Sequence, residues 1–440
     1  MTPPAQTALP SEMRGIEPAK HVLRRLFRDF DESIRIRLWD GTEMRTGRDC
    51  PAFSLTFKSA KSFRRLVLSR DPLCFAESYV HGLIDVDGDL YDALKLRRHL
   101  TSLQLPLIEK AQLAAQALRI KPDKIPSRDN APKWTKTLMQ KLGAGSDRRL
   151  NHDAISFHYD LSNDFYALWL DEQMLYSCAY YENASQSLDV AQRNKLDHIC
   201  RKLRLKPGER LLDIGCGWGA LICWAAEHYG VQAHGITLSL QQFEHASKLI
   251  KQRGLEQTVS VALMDYRDLK GEARYHKVVS VGMFEHVGLK NLPKYFAIAR
   301  RLLKPGGLFL NHGIASDEGG WKKSVSTEFI NRYVFPDGQL ETIGTVQRIM
   351  EDAGFEIHDV ENLRPHYALT LREWVRRIEA QRDEALKYVT EPVFRIWRLY
   401  MAASALQFEE GCTGVYQVLI SRRTPFSTPV PLTRIDCYRQ

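Results

Sequence analysis

The spacing of apolar residues changes character along the chain. Val22, Leu23, Leu26, Phe27 and Phe30 recur at helical intervals. Ile34, Ile36 and Leu38 then alternate with Arg35 and Arg37, and Asp40-Gly41 supplies a hairpin turn. Phe53, Leu55 and Phe57 alternate once more. These segments predict a small α+β domain over residues 20–120, after a loose, Pro-rich stretch at 1–19. Residues 71–88 mix Pro72, Gly82 and Gly88 with Asp71, Asp85 and Asp87, and read as a packed turn between two elements.

Residues 121–150 hold Pro122, Pro126, Pro132, Gly143 and Gly145 among many lysines and arginines, the composition of an interdomain linker. Trp134, Leu138 and Leu142 within it fit either a short basic amphipathic helix that touches a membrane or plain solvated linker.

From Asn151 the pattern becomes strands alternating with helices. Strands are predicted at 211–214, 231–238, 259–264, 277–282 and 307–312, with a turn at Leu303-Lys-Pro-Gly-Gly307. Such alternation specifies a doubly wound, parallel α/β sheet. Residues 355–360 and 415–421 supply two further strands. Two stretches stand outside the sheet. Residues 315–345 carry Trp321, Phe329, Tyr333, Val334 and Phe335. Residues 366–411 are mostly helical: Leu371, Trp374, Val375 and Ile378 mark one apolar face, and Arg372, Arg376 and Arg377 lie off it. Both follow strand carboxyl ends, where such sheets bind ligands, so they are expected to wall a hydrophobic tunnel.

Composition adds little: 44% hydrophobic and 26% charged residues are ordinary for a globular protein. No apolar run reaches the ~18 residues of a membrane span. The first residues lack a signal-peptide pattern, so a cytoplasmic location is expected. Cys50, Cys74, Cys178, Cys200, Cys216, Cys223, Cys412 and Cys437 form no C-x-x-C pair, which points to neither a zinc site nor a disulfide framework. The net charge of +9 fits an anionic phospholipid surface, nucleic acid or simple solubility.

Candidate chemistry centres on Asp213-Ile-Gly-Cys-Gly-Trp-Gly219, a strand that breaks into a glycine loop before a helix. Gly215 and Gly217 suit a tight turn with positive φ, and helix N–H groups then face a ligand. The G-x-G-x-G spacing differs from the G-x-G-x-x-G of dinucleotide folds. It looks like the first motif of S-adenosylmethionine-dependent methyltransferases, with Asp213, Gly215, Gly217, Trp218 and Gly219 at the cofactor. The second strand ends without the carboxylate that often holds a ribose; Thr237, Ser239 and Gln242 offer neutral hydrogen bonds instead. Ser239 and Gln242 also read as a capping box, which needs no ligand. After the third strand, Tyr266 could flank an adenine ring and Asp265 could accept from its amine, against the plain reading of a polar loop.

Three more motifs narrow the class. They are His158-Tyr159-Asp160 with Asn163-Asp164-Phe165 and Tyr176-Ser177-Cys178-Ala179-Tyr180-Tyr181; Val281-Gly-Met-Phe-Glu-His-Val-Gly288; and Asn311-His-Gly-Ile314. With the glycine loop and Gly235-Ile-Thr-Leu-Ser239, they resemble the cyclopropane-fatty-acid-phospholipid synthase family, which shares its core with the mycolic acid cyclopropane synthases. The resemblance covers roughly residues 150–421. It implies a Rossmann-like class I methyltransferase sheet with helical insertions, whose last strand is antiparallel, over residues 151–423. It also relates the N-terminal α+β domain to the extra domain of the phospholipid enzymes, and leaves a tail at 424–440 with no assigned role.

The resemblance implies transfer from S-adenosylmethionine to a cis double bond of a phospholipid acyl chain, with bicarbonate as the base. Its ligands map onto Cys178, Glu285, His312, Ile314 and Tyr367, with Cys178 and Ile314 giving mainly backbone N–H groups. Tyr176 and Ser177 join the cofactor set. Tyr159, Tyr176, Tyr180 and Phe284 are candidate aromatic faces for the positive charge. A homodimer with peripheral contact at the inner face of the cytoplasmic membrane is expected. Ser404 stands where relatives carry a late-helix cysteine, so a thiol there is not essential to this chain. The rival within the class is an alkene methylation giving a methylene- or methyl-branched chain. A nucleic-acid methyltransferase is disfavoured, because Gly282-Met-Phe-Glu-His replaces an Asn/Asp-Pro-Pro-aromatic motif and no RNA-binding module is evident. A non-catalytic lipid-binding protein is disfavoured by the complete ligand set.

Overall fold

The structure is a computed structural model that describes residues 15–30, 32–47, 50–69, 73–121, 161–319, 324–335, 339–426 and 428–438. The linker with Trp134, Leu138 and Leu142, the motif His158-Tyr159-Asp160, and Trp321 lie outside the described residues. The chain divides into two compact units: residues 1–136 with 391–399, and residues 137–390 with 400–440.

In order, the first unit holds α1 (Ile16–Leu26), β1 (Ile34–Arg37), β2 (Glu43–Thr46), β3 (Phe53–Phe57), α2 (Ala60–Leu68), α3 (Cys74–Val80), β4 (Ile84–Gly88), α4 (Leu90–Ser102) and α5 (Leu107–Arg119). Its sheet runs β2-β1-β3-β4, with β1 and β3 parallel. The alternation seen in the sequence is the burial pattern: Ile34, Ile36, Phe53, Leu55, Phe57, Ile84 and Val86 face the core. Asp40-Gly41 makes the β1–β2 turn, with Gly41 at φ +87. Of the stretch expected as a packed turn, the described residues 73–88 instead hold α3 and β4. Arg395 bonds to the Tyr79 carbonyl at 3.1 Å and to Asp85 at 3.2 Å.

The second unit holds α6 (Asn163–Ala167), α7 (Leu188–Lys202), β5 (Arg210–Ile214), α8 (Ala220–Tyr229), β6 (Gln232–Thr237), α9 (Leu240–Gln252), β7 (Val259–Leu263), β8 (Tyr275–Val281), α10 (Leu292–Leu302), β9 (Leu303–Ser316), α11 (Val325–Tyr333), α12 (Ile343–Asp352), β10 (Phe355–Asn362), α13 (Arg364–Ala380), α14 (Arg382–Tyr388), α15 (Glu391–Glu410, from residue 400), β11 (Thr413–Arg422) and α16 (Ile435–Tyr438). Its sheet runs β10-β11-β9-β8-β5-β6-β7, and β11 runs antiparallel to the other six strands. Successive residues feed opposite cores. Leu211, Val279, Leu308 and Leu310 join one hydrophobic cluster with α7 and α8, and Leu212, Val278 and Phe309 join another with α10 and α12. Each fully buried aromatic in the second cluster, such as Phe296 or Phe355, adds about 1.5–3 kcal/mol of burial.

The turn expected at 303–307 is a bulge inside β9: Tyr275 pairs with Leu303, yet Lys277 pairs with Leu308. The tail beyond Arg423 folds back, with Arg434 on Asp359 at 2.6 Å and Arg204 on Asp436 at 2.7 Å.

One glycine fixes the site's geometry. A Cβ on Gly313 in β9 would lie 1.8 Å from the Phe284 ring. The missing side chain lets Phe284 seat beneath the turn that carries Glu285. Gly313→Ala is therefore expected to lower stability by about 1–3 kcal/mol through overpacking, and Phe284→Leu in the same chain to recover part of the loss. Urea unfolding checks this; an unchanged midpoint for the single variant contradicts it.

Candidate functional site

The carboxyl ends of β5, β6 and β8 open onto one cavity of about 140 Å³. Of the residues assigned to the cofactor, Tyr176, Ser177, Asp213, Gly215, Gly217, Trp218, Thr237, Gln242, Asp265 and Tyr266 line it. Gly215, Gly217 and Gly219 all have positive φ, at +87, +55 and +93, so the turn requires glycine at each. Gly219 does not line the cavity: a Cβ there would meet Ala246 of α9 at 2.9 Å, so it serves helix packing.

Several side chains are engaged differently from expectation. Ser239 is also outside the cavity lining and N-caps α9, accepting from Gln242 N at 3.3 Å. The return half of a capping box comes from another residue: Ser239 N donates to Thr237 Oγ1 at 3.2 Å, and Thr237 Oγ1 donates to Gln242 Oε1 at 2.7 Å. Trp218 donates its indole N–H to Asn163 at 2.8 Å, so it offers the cavity its ring. Arg267 Nε bonds both Asp265 oxygens, at 2.9 and 3.0 Å. Asp213 Oδ1 is buried with no hydrogen-bond partner, and burial pushes the carboxyl up to about 7.

A second cavity of about 120 Å³ opens beside the first. All five residues assigned to the base, Cys178, Glu285, His312, Ile314 and Tyr367, line it. Parallel pairing of Val281 with His312 brings β8 and β9 to a common end, and Gly282, at φ +64, turns the chain toward Glu285. Ile314 N donates to Glu285 Oε1 at 2.7 Å. That N–H therefore orients the carboxylate and is not left for a bound anion, a correction to its expected role. Part of the Glu285 residue is accessible, but Oε2 is buried without a partner, and burial pushes the carboxyl up to about 7. His312 is buried; the Gln417 amide nitrogen faces its Nδ1 at 3.2 Å, and its Nε2 has no partner. With Nδ1 accepting, Nε2 carries the proton. Burial pulls the imidazole down to about 3, so it stays neutral. The Cys178 thiol is pushed up by burial and points at carbonyls of Ala179 and Leu363, so it is not a nucleophile.

The remaining wall is apolar and comes from both insertions: Ile330, Phe335 and Leu340 from one, Leu371, Tyr400 and Phe408 from the other. Ser404 lines it as well. Tyr176 lines both cavities, but Tyr180 and Phe284 line neither. Tyr180 stacks between His198 and His366, with centroids 4.2 and 4.9 Å away, and Phe284 packs under Gly313.

The two cavities share Tyr176, Ser177, Gly282 and His286. His286 had a place in a motif but no assigned role; burial pulls its imidazole down to about 4. The loop at this junction is held by α7, whose inward stripe is polar. Gln192 donates to the carbonyls of Leu175 at 3.2 Å and Ser177 at 3.0 Å, and Lys195 donates to Ser177 Oγ at 2.8 Å. Lys195 was missed by sequence reasoning. It is 1% exposed, lines the first cavity, and burial pulls it down to about 8. The only available signal was that Gln192, Lys195 and Lys202 fall on one side of a helix that also buries Leu196 and Ile199.

Residues 146–418 match the family model of mycolic acid cyclopropane synthetase, and residues 20–99 match a domain of unknown function. The chain is 38% identical over 412 residues to a probable fatty acid methyltransferase of Pseudomonas putida, covering 92% of this chain and 96% of that relative. It is 41% identical over 266 residues to the cyclopropane-fatty-acyl-phospholipid synthase of Escherichia coli, covering 60% of this chain and 66% of that relative. The solved structure of a cyclopropane synthase from Mycobacterium tuberculosis matches with TM-score 0.59 and 33% identity over 61% of this chain and 98% of its own. A mycolic acid cyclopropane synthase in complex with SAH and CTAB matches with TM-score 0.58 and 35% identity over 61% and 98%. The matched residues span the seven-stranded sheet from β5 onward and both cavities, and on that ground the chain belongs to the mycolic acid cyclopropane synthetase family of S-adenosylmethionine-dependent methyltransferases, which holds cyclopropane fatty acid synthases and related fatty acid methyltransferases.

Proposed function

We propose that the chain is a cyclopropane-fatty-acyl-phospholipid synthase. It adds a methylene group from S-adenosylmethionine across the cis double bond of an unsaturated acyl chain in a membrane phospholipid. One observation carries this reading: a cavity at a glycine loop meets a second, more apolar cavity whose buried Glu285 Oε2 and His312 Nε2 lack partners. The bilayer contact, the homodimer and the place at the inner face of the cytoplasmic membrane belong to the same proposal.

Bound S-adenosylmethionine supplies an electrophilic methyl group on a sulfonium. Of its charged groups, the ammonium suits the orphaned Asp213 oxygen, and the carboxylate suits the buried ammonium of Lys195. An alkene is a weak nucleophile, so the chain's work is positioning. Tyr176, Ser177, Gly282 and His286 define where donor and acceptor meet. Positive charge developing on the acyl chain is faced by the rings of Tyr176, Tyr367, Tyr400 and Phe408. The apolar wall excludes water that would trap that charge as an alcohol.

Bicarbonate would supply the base that removes a proton from the added carbon. The residues fit such an ion: His312 Nε2–H is a neutral donor and ionised Glu285 Oε2 an acceptor, both buried and lining one cavity. Tyr367 and the Cys178 backbone complete the proposed set. A second reading, a methylene- or methyl-branched product, is supported by the fatty acid methyltransferase name of the Pseudomonas putida relative.

Four measurements test these assignments. Incubation with cis-unsaturated phospholipid and methyl-labelled S-adenosylmethionine should give a labelled acyl chain that has lost its double bond. An unsaturated branched chain would instead establish the second reading, and no labelled lipid would refute both. Glu285 must be ionised to accept, and its raised pKa makes it neutral below about 7. Activity is therefore expected to fall on the acid side with a midpoint near 7. Glu285→Gln should lower kcat by ~10²–10⁴-fold while SAH affinity holds; near-normal turnover would contradict the role. Lys195→Met should weaken SAH ~10–100-fold, the loss of a charged contact of about 1.5–3 kcal/mol. Calorimetry reads it, and unchanged affinity removes Lys195 from the cofactor site.

A further inference from the structure

Helix α5 is apolar on two sides. Leu113 and Ala117 face inward, where the helix packs on α1 and α2. On the other side Leu107, Ile108, Ala111, Ala115 and Leu118 are exposed, and their spacing draws one stripe along the helix. Leu107 is 83% and Ile108 74% exposed, a large apolar pair to leave in water at the tip where α4 turns into α5. Basic side chains outnumber acidic ones along this stretch. Between residues 95 and 121 the bases are Lys95, which pairs with Asp92 at 2.7 Å, and Arg97, Arg98, Lys110, Arg119 and Lys121. The lone acid is Glu109, and Arg25 holds it at 2.9 Å.

We propose that this stripe docks the chain on an anionic phospholipid bilayer. Leu107, Ile108 and Leu118 enter the headgroup boundary, and Lys110, Arg119 and Lys121 face the lipid phosphates. A helix with an apolar stripe and a basic rim lies in the plane of such a surface and is drawn to it by anionic lipid. The proposal rests on the reading that the substrate is a membrane acyl chain, and goes beyond it by naming where the chain meets the membrane. A second copy of the chain, or residues 122–160 folded over the helix, are the competing occupants.

The test uses the full chain and vesicles of phosphatidylglycerol or phosphatidylcholine. The wild-type chain should sediment with phosphatidylglycerol vesicles, less so as salt rises. Leu107→Glu with Ile108→Glu should weaken that binding at least tenfold and lower turnover of vesicle lipid. SAH affinity and turnover of detergent-dispersed lipid should not change. Lys110→Gln, Arg119→Gln and Lys121→Gln together should weaken binding to anionic vesicles and leave the small affinity for neutral ones. Unchanged vesicle binding in the Glu pair overturns the proposal. So does a change of oligomeric state alone, which assigns the stripe to a second copy. So does helix exchange protection that is equal with and without vesicles, which means the stripe is already covered. Failure to modify even dispersed lipid would refute the functional reading instead, a distinct result.

Discussion

A buried lysine and a buried amide hold the catalytic site together. Lys195 and Gln192, on the inward face of α7, bond the loop Leu175–Ser177 and fix it between two cavities. Taking an ammonium out of water is costly unless something answers it. Here one hydroxyl answers directly, while the Asp171 carboxylate and, more weakly, that of Asp213 add a favourable field. The structure thus keeps unspent polarity at the glycine loop, where a zwitterionic cofactor would balance it.

The second cavity follows the same logic with the opposite balance. Its wall is greasy, and its few polar atoms are orphaned or neutral. Glu285 is aimed by the Ile314 N–H, and His312 by Gln417. Low dielectric raises the one and lowers the other, so neither carries charge cheaply until a ligand arrives. Parallel strand ends bring them together, and a glycine at 313 makes room for the aromatic under the Glu285 turn. A side chain on a rigid strand end, as His312 is, can be placed to within the tolerance that the proposed alkene alkylation demands.

Much of this was legible in the sequence because period and position carry it. Alternation of strands and helices placed all seven strands of the large sheet, and the family resemblance named Cys178, Glu285, His312 and Tyr367, which line one cavity. What failed was local hydrogen bonding, which spacing does not encode. Thr237, not Gln242, closes the cap at Ser239. Ile314 serves Glu285, and Tyr180 turns away into a histidine stack. Lys195 was invisible because a lysine in an amphipathic helix reads as solvated unless the fold shows its face buried. The tail's return rests on long-range ion pairs to Asp359 and Arg204, the Arg201 bond to the Cys437 carbonyl and the burial of Cys437, contacts with no sequence pattern.

A crystal structure of the chain with SAH and bicarbonate tests the account most directly. The account places SAH against Asp213 and Lys195, its sulfur at the wall of Tyr176, Ser177, Gly282 and His286, and a trigonal ion between Glu285 Oε2 and His312 Nε2. A cofactor seated with its sulfur away from that wall, or only water between Glu285 and His312, would contradict it.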